Sequence, residues 1–131
     1  LGFVLKILRI NTLISIIPFT ALFFWGGELF SWVFGQEWKG AGEIAEVCAP
    51  WIFLNFLTSP YSMLPVTLEK QKQYLCWGIL GTVSLLGSLF IRIHLELSTL
   101  NIFVCISISQ VVYLMALLIW YIKLVQSKDR N

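Results

Sequence analysis

The sequence predicts an all-α integral membrane protein of four antiparallel transmembrane helices, and three observations carry that reading. Hydrophobic residues make up 58% of the 131 positions against 12% charged, with a mean hydropathy of +0.83. A water-soluble domain of this size could not hide so much apolar surface. Four runs, over roughly 11–34, 46–67, 74–92 and 100–122, each reach the length of about 20 residues that a bilayer crossing needs. Stretches such as Ile52-Phe53-Leu54 and Leu114-Met115-Ala116-Leu117-Leu118-Ile119 do not alternate as β-barrel strands must.

The first run ends in the polar stretch Phe34-Gly35-Gln36-Glu37-Trp38-Lys39-Gly40-Ala41-Gly42-Glu43, where the chain is expected to come up into water and turn back. Within the run Glu28 is the one acidic side chain, and an ionisable group at depth is costly unless it reaches water or a partner. Two readings stand. Glu28 faces a substrate cavity, or the Gly26-Gly27 pair ends the deep helix and leaves Glu28 at the interface, at the N-terminus of a short following helix. Pro18 is expected to bend this span.

The second run carries Asn55, Thr58, Ser59 and Ser62 at i, i+3, i+4 and i+7, one polar stripe on a greasy helix, with Phe53, Leu57 and Leu64 opposite. The stripe is either the wall of a hydrated cavity or a set of contacts to neighbouring helices. Pro50, Pro60 and Pro65 predict a bent helix here, since each removes a backbone donor. Such breaks persist in membranes where side chains, water or a cavity satisfy the freed carbonyls.

In the third run Gly78, Gly81, Ser84 and Ser88 recur at three- and four-residue steps, a pattern that lets another helix approach closely. The fourth holds Asn101, Ser107, Ser109 and a central Gln110, scattered around the helix so that no face stands out. Trp25, Trp32, Trp38, Trp51, Trp77, Trp120 and Tyr121 fall towards span ends, as amphipathic rings do at headgroup level.

Alternating the helices gathers Lys6, Arg9, Lys70, Lys72, Lys123, Lys128 and Arg130 on one side and leaves Lys39 and Arg92 on the other. The positive-inside rule then makes both ends cytoplasmic. Lys70, Lys72 and Arg92 sit where spans meet water, as snorkelling anchors or as contacts to the phosphates of an anionic lipid. The net charge of +2 forms no basic stripe, so nucleic acid is not an expected partner. Cys48, Cys76 and Cys105 are odd in number and far apart, which suits buried thiols rather than disulfides or a metal site. His94 has only Glu96 near it in sequence, so no metal and no cofactor is expected. The chain opens on Leu1 and its first apolar run lacks a small-residue cleavage site, which reads as a piece of a longer protein rather than a signal peptide.

No phosphate-binding glycine loop, activated nucleophile or paired aspartates occur, so an enzyme is not expected. The spaced set Phe34-Gly35, Trp38, Ala41, Ala49-Pro50-Trp51, Ser59-Pro60 and Gln71-Lys72 resembles the C-terminal part of bacterial polysaccharide biosynthesis proteins. These are the O-antigen type oligosaccharide flippases of the multidrug/oligosaccharidyl-lipid/polysaccharide (MOP) exporter superfamily. The resemblance is detailed over residues 18–75 and continues in hydropathy to the end. It implies about twelve helices in two bundles, with residues 1–131 as the last four packed against the N-terminal remainder of the same protein. It implies residence in the bacterial inner membrane and transfer of an undecaprenyl-pyrophosphate-linked oligosaccharide for lipopolysaccharide-type surface polymers. Glu28, Asn55, Ser59 and Ser62 would then line the substrate cavity, and Phe34, Gly35, Trp38, Ala41, Pro50, Ser59 and Pro60 would be structural. Charged intramembrane residues able to hold a pyrophosphate are sparse, which moves most substrate binding to the N-terminal part. Two other classes compete, an accessory subunit that packs against a partner and a membrane-embedded polysaccharide polymerase. A polymerase should carry a large outer loop with clustered charges, and both outer loops are short.

Overall fold

The computed structural model describes residues 2–95 and 98–128, and they fold into helices. The order is α1 (Gly2–Phe34), α2 (Lys39–Thr58), the four-residue α3 (Leu64–Thr67), α4 (Gln71–Leu95) and α5 (Thr99–Lys128), with single 3-10 turns at Gln36–Trp38 and Ser59–Tyr61. Three helical stretches, Lys6–Phe34, Gln71–Phe90 and Thr99–Ser127, are long and apolar enough to cross a membrane. Their exposed side chains fit that environment and not water, as Ile17 at 75% and Trp32 at 85% exposure illustrate.

The second segment departs from the expected single span over 46–67. Its helix starts earlier, at Lys39, and stops at Thr58. Pro60 and Pro65 supply no amide to the preceding turns, so the chain leaves the α-helix through a 3-10 turn and resumes only for Leu64–Thr67. Lys39, Glu43 and Glu46 crowd the first half of α2, and it is not among the three helices apolar enough to span. The polar stretch after Phe34 is correspondingly shorter than expected. The turn is Gly35 with the 3-10 residues Gln36–Trp38, and Lys39 onward is helical.

Neighbouring helices lie in a row, α1 on α2, α2 on α5 and α5 on α4. The α1–α2 pair is antiparallel, since Gly26 meets Gly42 while Phe19 packs edge-on to Phe53 at 5.6 Å. The α4–α5 pair is antiparallel too, with Ser88 against Ser109 and Trp77 against Trp120. α2 and α5 run parallel, because Val47 and Val104 share one groove and Tyr61 meets Tyr121 further along both. Leu54, Leu57 and Tyr61 of the second segment bury themselves against Leu114, Leu117 and Tyr121 of α5 in the common core.

α1 continues through Pro18 and breaks at the Gly26-Gly27 pair, as one of the two readings of Glu28 expects. Its one residue with non-helical backbone is Trp25, at φ −136° and ψ 24°, just before the Gly26-Gly27 pair. Of the cysteines, Cys48 is buried and Cys105 half-buried, but Cys76 is exposed, against the expectation of three buried thiols. It lies on α4, whose main neighbour is α5 alone, so much of that helix's circumference is uncovered.

Candidate functional site

The polar stripe opens onto a cavity of about 350 Å³. Trp51, Asn55, Thr58, Ser59 and Ser62 form one wall, Tyr74 of α4 the opposite one, and Gln110, Tyr113, Leu114, Leu117 and Tyr121 of α5 the floor. The Asn55–Ser62 set keeps to one side although the helix itself gives way at Thr58 to a 3-10 turn. The turn continues the chain in nearly the same direction and adjusts the rotation by only a fraction of a residue.

Hydrogen bonding separates Asn55, Ser59 and Ser62 from the other small polar residues, their stripe neighbour Thr58 included. Thr12, Ser15, Thr58, Thr82, Ser88 and Ser109 each bond back to a carbonyl three or four residues earlier, the usual way to hide a hydroxyl in an apolar setting. Among the described residues the side chains of Asn55, Ser59 and Ser62 make no such bond. Their donors and acceptors remain available to whatever fills the cavity. No charged side chain is among its lining residues.

The floor and far wall are held by α4–α5 contacts. Gln110 Nε2 donates to the Gly81 carbonyl at a long 3.4 Å, and Ser88 and Ser109 share a hydrogen bond at 3.0 Å. An aromatic chain runs along this end, with Trp120–Tyr121 centroids 5.4 Å apart, Trp77–Trp120 6.1 Å, Tyr61–Tyr121 6.3 Å and Tyr74–Tyr121 6.5 Å. All four lie within the centroid range of favourable ring pairs. The cavity can therefore offer an uncharged guest amide and hydroxyl partners on one side and ring faces on the other, the combination that suits polyhydroxylated groups.

Of the residues singled out in the sequence, Asn55, Ser59 and Ser62 come together here. Glu28 does not join them. It is exposed on the segment beyond Trp25, level with the start of α2, because α1 and α2 run antiparallel and the cavity is at the far end of α2. Phe34, Gly35 and Trp38 build the turn, with the Phe34 and Trp38 rings 5.9 Å apart. Gly35 has φ 106° and ψ 163°, a conformation essentially closed to other residues. Ala41 is half-buried next to the α1 contact, while Pro50 lines apolar grooves on both sides of α2. Pro60 is exposed in the 3-10 turn. Lys70 and Lys72 are exposed at the entry to α4, and the side chains of Arg92 and His94, with Glu96, Leu97 and Arg130 entirely, lie outside the described ones.

Sequence spacing does not reveal Tyr74, Tyr113 and Tyr121 as lining residues, nor a place for Gln110. It also missed Glu46, whose Oε1 accepts a hydrogen bond from the Gly27 amide at 2.7 Å.

The class this fold describes is an all-helical membrane protein with a polar, uncharged cavity near one end of its helices. No protein family, curated protein or solved structure matches the chain.

Proposed function

We propose that the chain is the C-terminal part of an oligosaccharide flippase of the MOP type, with four membrane-crossing segments, both ends cytoplasmic, in a bacterial inner membrane. It moves the sugar portion of an undecaprenyl-pyrophosphate-linked unit between leaflets rather than catalysing a reaction. The supporting observation is the cavity whose Asn55, Ser59 and Ser62 side chains have no hydrogen-bond partner among the described residues. In an apolar surrounding such groups are stable only against water, polar protein or a polar guest, and a cavity wall in an alternating-access protein meets the first and third in turn. On this reading the pyrophosphate is held by other parts of the full-length protein or by Lys70 and Lys72, exposed at the entry to α4.

The test is leaflet transfer of an undecaprenyl-pyrophosphate-linked oligosaccharide in proteoliposomes containing the full-length protein, read by access of an added glycosidase to the sugar. Transfer should fall at least about tenfold in Asn55→Leu/Ser59→Ala, with protein yield unchanged, from the loss of two polar contacts. Full-length protein that inserts normally yet gives no transfer above empty vesicles defeats the proposal.

A further inference from the structure

Besides the tyrosines, two polar side chains of the cavity are almost fully enclosed, Thr58 and Gln110, each 5% exposed. The Thr58 hydroxyl is spent on the Asn55 carbonyl, whereas Gln110 keeps an acceptor in hand. It lies on the face of α5 that Tyr113, Leu114, Leu117 and Tyr121 share by helical spacing. Gly81, bare of a side chain, brings its carbonyl to 3.4 Å from Gln110 Nε2. A carbonyl only accepts, so the amide nitrogen is committed to it and Oε1 is the atom left over. Among the described residues Oε1 has no hydrogen-bond partner, a costly state for an enclosed acceptor. The register of α2 and α5, with Val47 by Val104 and Tyr61 by Tyr121, sets Gln110 level with Trp51. Asn55 follows one turn further along α2, with its own amide unpaired.

We propose that the sugar taken by this cavity carries an acetamido group and that Gln110, with Asn55 opposite, is the residue that selects it. The inference rests on the proposal that the chain moves sugars, and it adds the class of sugar. An acetamido group has a donor N–H on one edge and an acceptor C=O on the other. Its N–H donates to Gln110 Oε1 and its C=O accepts from Asn55 Nδ2, while its methyl lies against Trp51 and Leu114 of the same lining. A hydroxyl on the same sugar carbon is too short to bond both side chains at once, so one of the two amides stays without a partner, which is how a polar site rejects an analogue. A carboxylate in that place would give up its water and meet no cation among the lining residues.

The test compares the binding of two radiolabelled lipids to full-length protein in nanodiscs, undecaprenyl pyrophosphate linked to N-acetylglucosamine and the same carrier linked to glucose, with the sugar-free carrier as reference. The acetamido lipid should bind at least about tenfold more tightly than the glucose lipid, the worth of one or two net hydrogen bonds. Gln110→Met, close in length and shape but without an amide, should bring that ratio to about one. A merely structural role for Gln110 would weaken both lipids and leave the ratio as it was. Asn55→Leu, at an exposed position on the other helix, should also bring the ratio to about one, and it decides the matter where Gln110→Met fails to fold. Equal binding of the two lipids by the parent, or a ratio that survives in either variant, overturns the selection and leaves the transport reading in place. Binding of neither sugar lipid above the sugar-free carrier is a different result, and it removes both.

Discussion

The ring of Tyr113 lies over Gly81, so closely that a Cβ at Gly81 would stand 2.7 Å from its Cζ and 2.9 Å from its hydroxyl oxygen. The absent side chain at Gly81 is what lets α4 meet α5 and brings the Gln110 amide to the Gly81 carbonyl. Gly81→Ala should cost about 1–3 kcal/mol through overpacking, whereas Gly78→Ala, with open space around it, should be neutral or slightly stabilising. Thermal unfolding of the two variants in the same detergent, followed by tryptophan fluorescence, checks the contrast. Equal stabilities would show that Tyr113 is free to move aside.

Gly42→Ala should be harsher, because the added carbon strikes backbone. It would meet the Gly26 carbonyl oxygen and the Gly27 Cα, which cannot rotate away as a side chain can. A loss of about 3 kcal/mol or more, beyond that of Gly81→Ala, is the expected result in the same melting assay. Gly40→Ala, two residues earlier in open space, is the control and should unfold like the parent.

Single cysteines at Asn55, Ser59 and Ser62 should react with a water-soluble thiol reagent in the full-length protein lacking Cys48, Cys76 and Cys105. Leu57→Cys, buried against α5, should resist it, since an excluded thiol has neither water nor thiolate character. Labelling that is as slow at the stripe as at Leu57, in protein that still transports, would reassign the stripe to helix packing.

Glu69 sits at φ 55°, the left-handed position that follows a short helix. Its amide bonds to Val66 and that of Lys70 to Pro65, the paired bonds of a Schellman turn. Glycine is the natural occupant, so Glu69→Gly should raise stability by up to about 1 kcal/mol, the strain of a side chain there offset in part by unfolded-state entropy. A lowered melting temperature would mean that the Glu69 side chain has a partner of its own.

The proposed orientation makes a reporter fused after Asn131 active only in the cytoplasm and one inserted at Gly40 active only outside it. The seven-against-two division of Lys and Arg between the two sides is the reason. The opposite activity pattern, from alkaline phosphatase and fluorescent protein fusions to the full-length protein, would invert it.

What could be read from the sequence was whatever lies within one helix. Asn55, Ser59 and Ser62 share a face by spacing alone, and Gly81 and Ser88 are small where α5 comes close, although a side chain at Gly78 in the same pattern would meet nothing. The opposite wall could not be read, because Tyr74 and Tyr121 become neighbours only once α4 and α5 pair in one register. The break in α1 was legible at its Gly26-Gly27 pair, but not what holds it there. Proline distorts only its own turn, while the departure at Trp25 is fixed by two glycines resting on Gly42 of another helix. Glu46 escaped notice because its role exists only when that amide is turned towards it.

The order of the helices bears on how the protein is made. α1 with α2, and α4 with α5, are antiparallel hairpins of chain neighbours, and contacts so local in sequence form fastest. The α2–α5 contact is different, since it links parallel helices across the whole intervening chain and forms only after both hairpins are in place. The cavity is lined from α2, α4 and α5, so it comes into existence at the last step of assembly, and a protein arrested with two separate hairpins would be fully inserted yet possess no site at all.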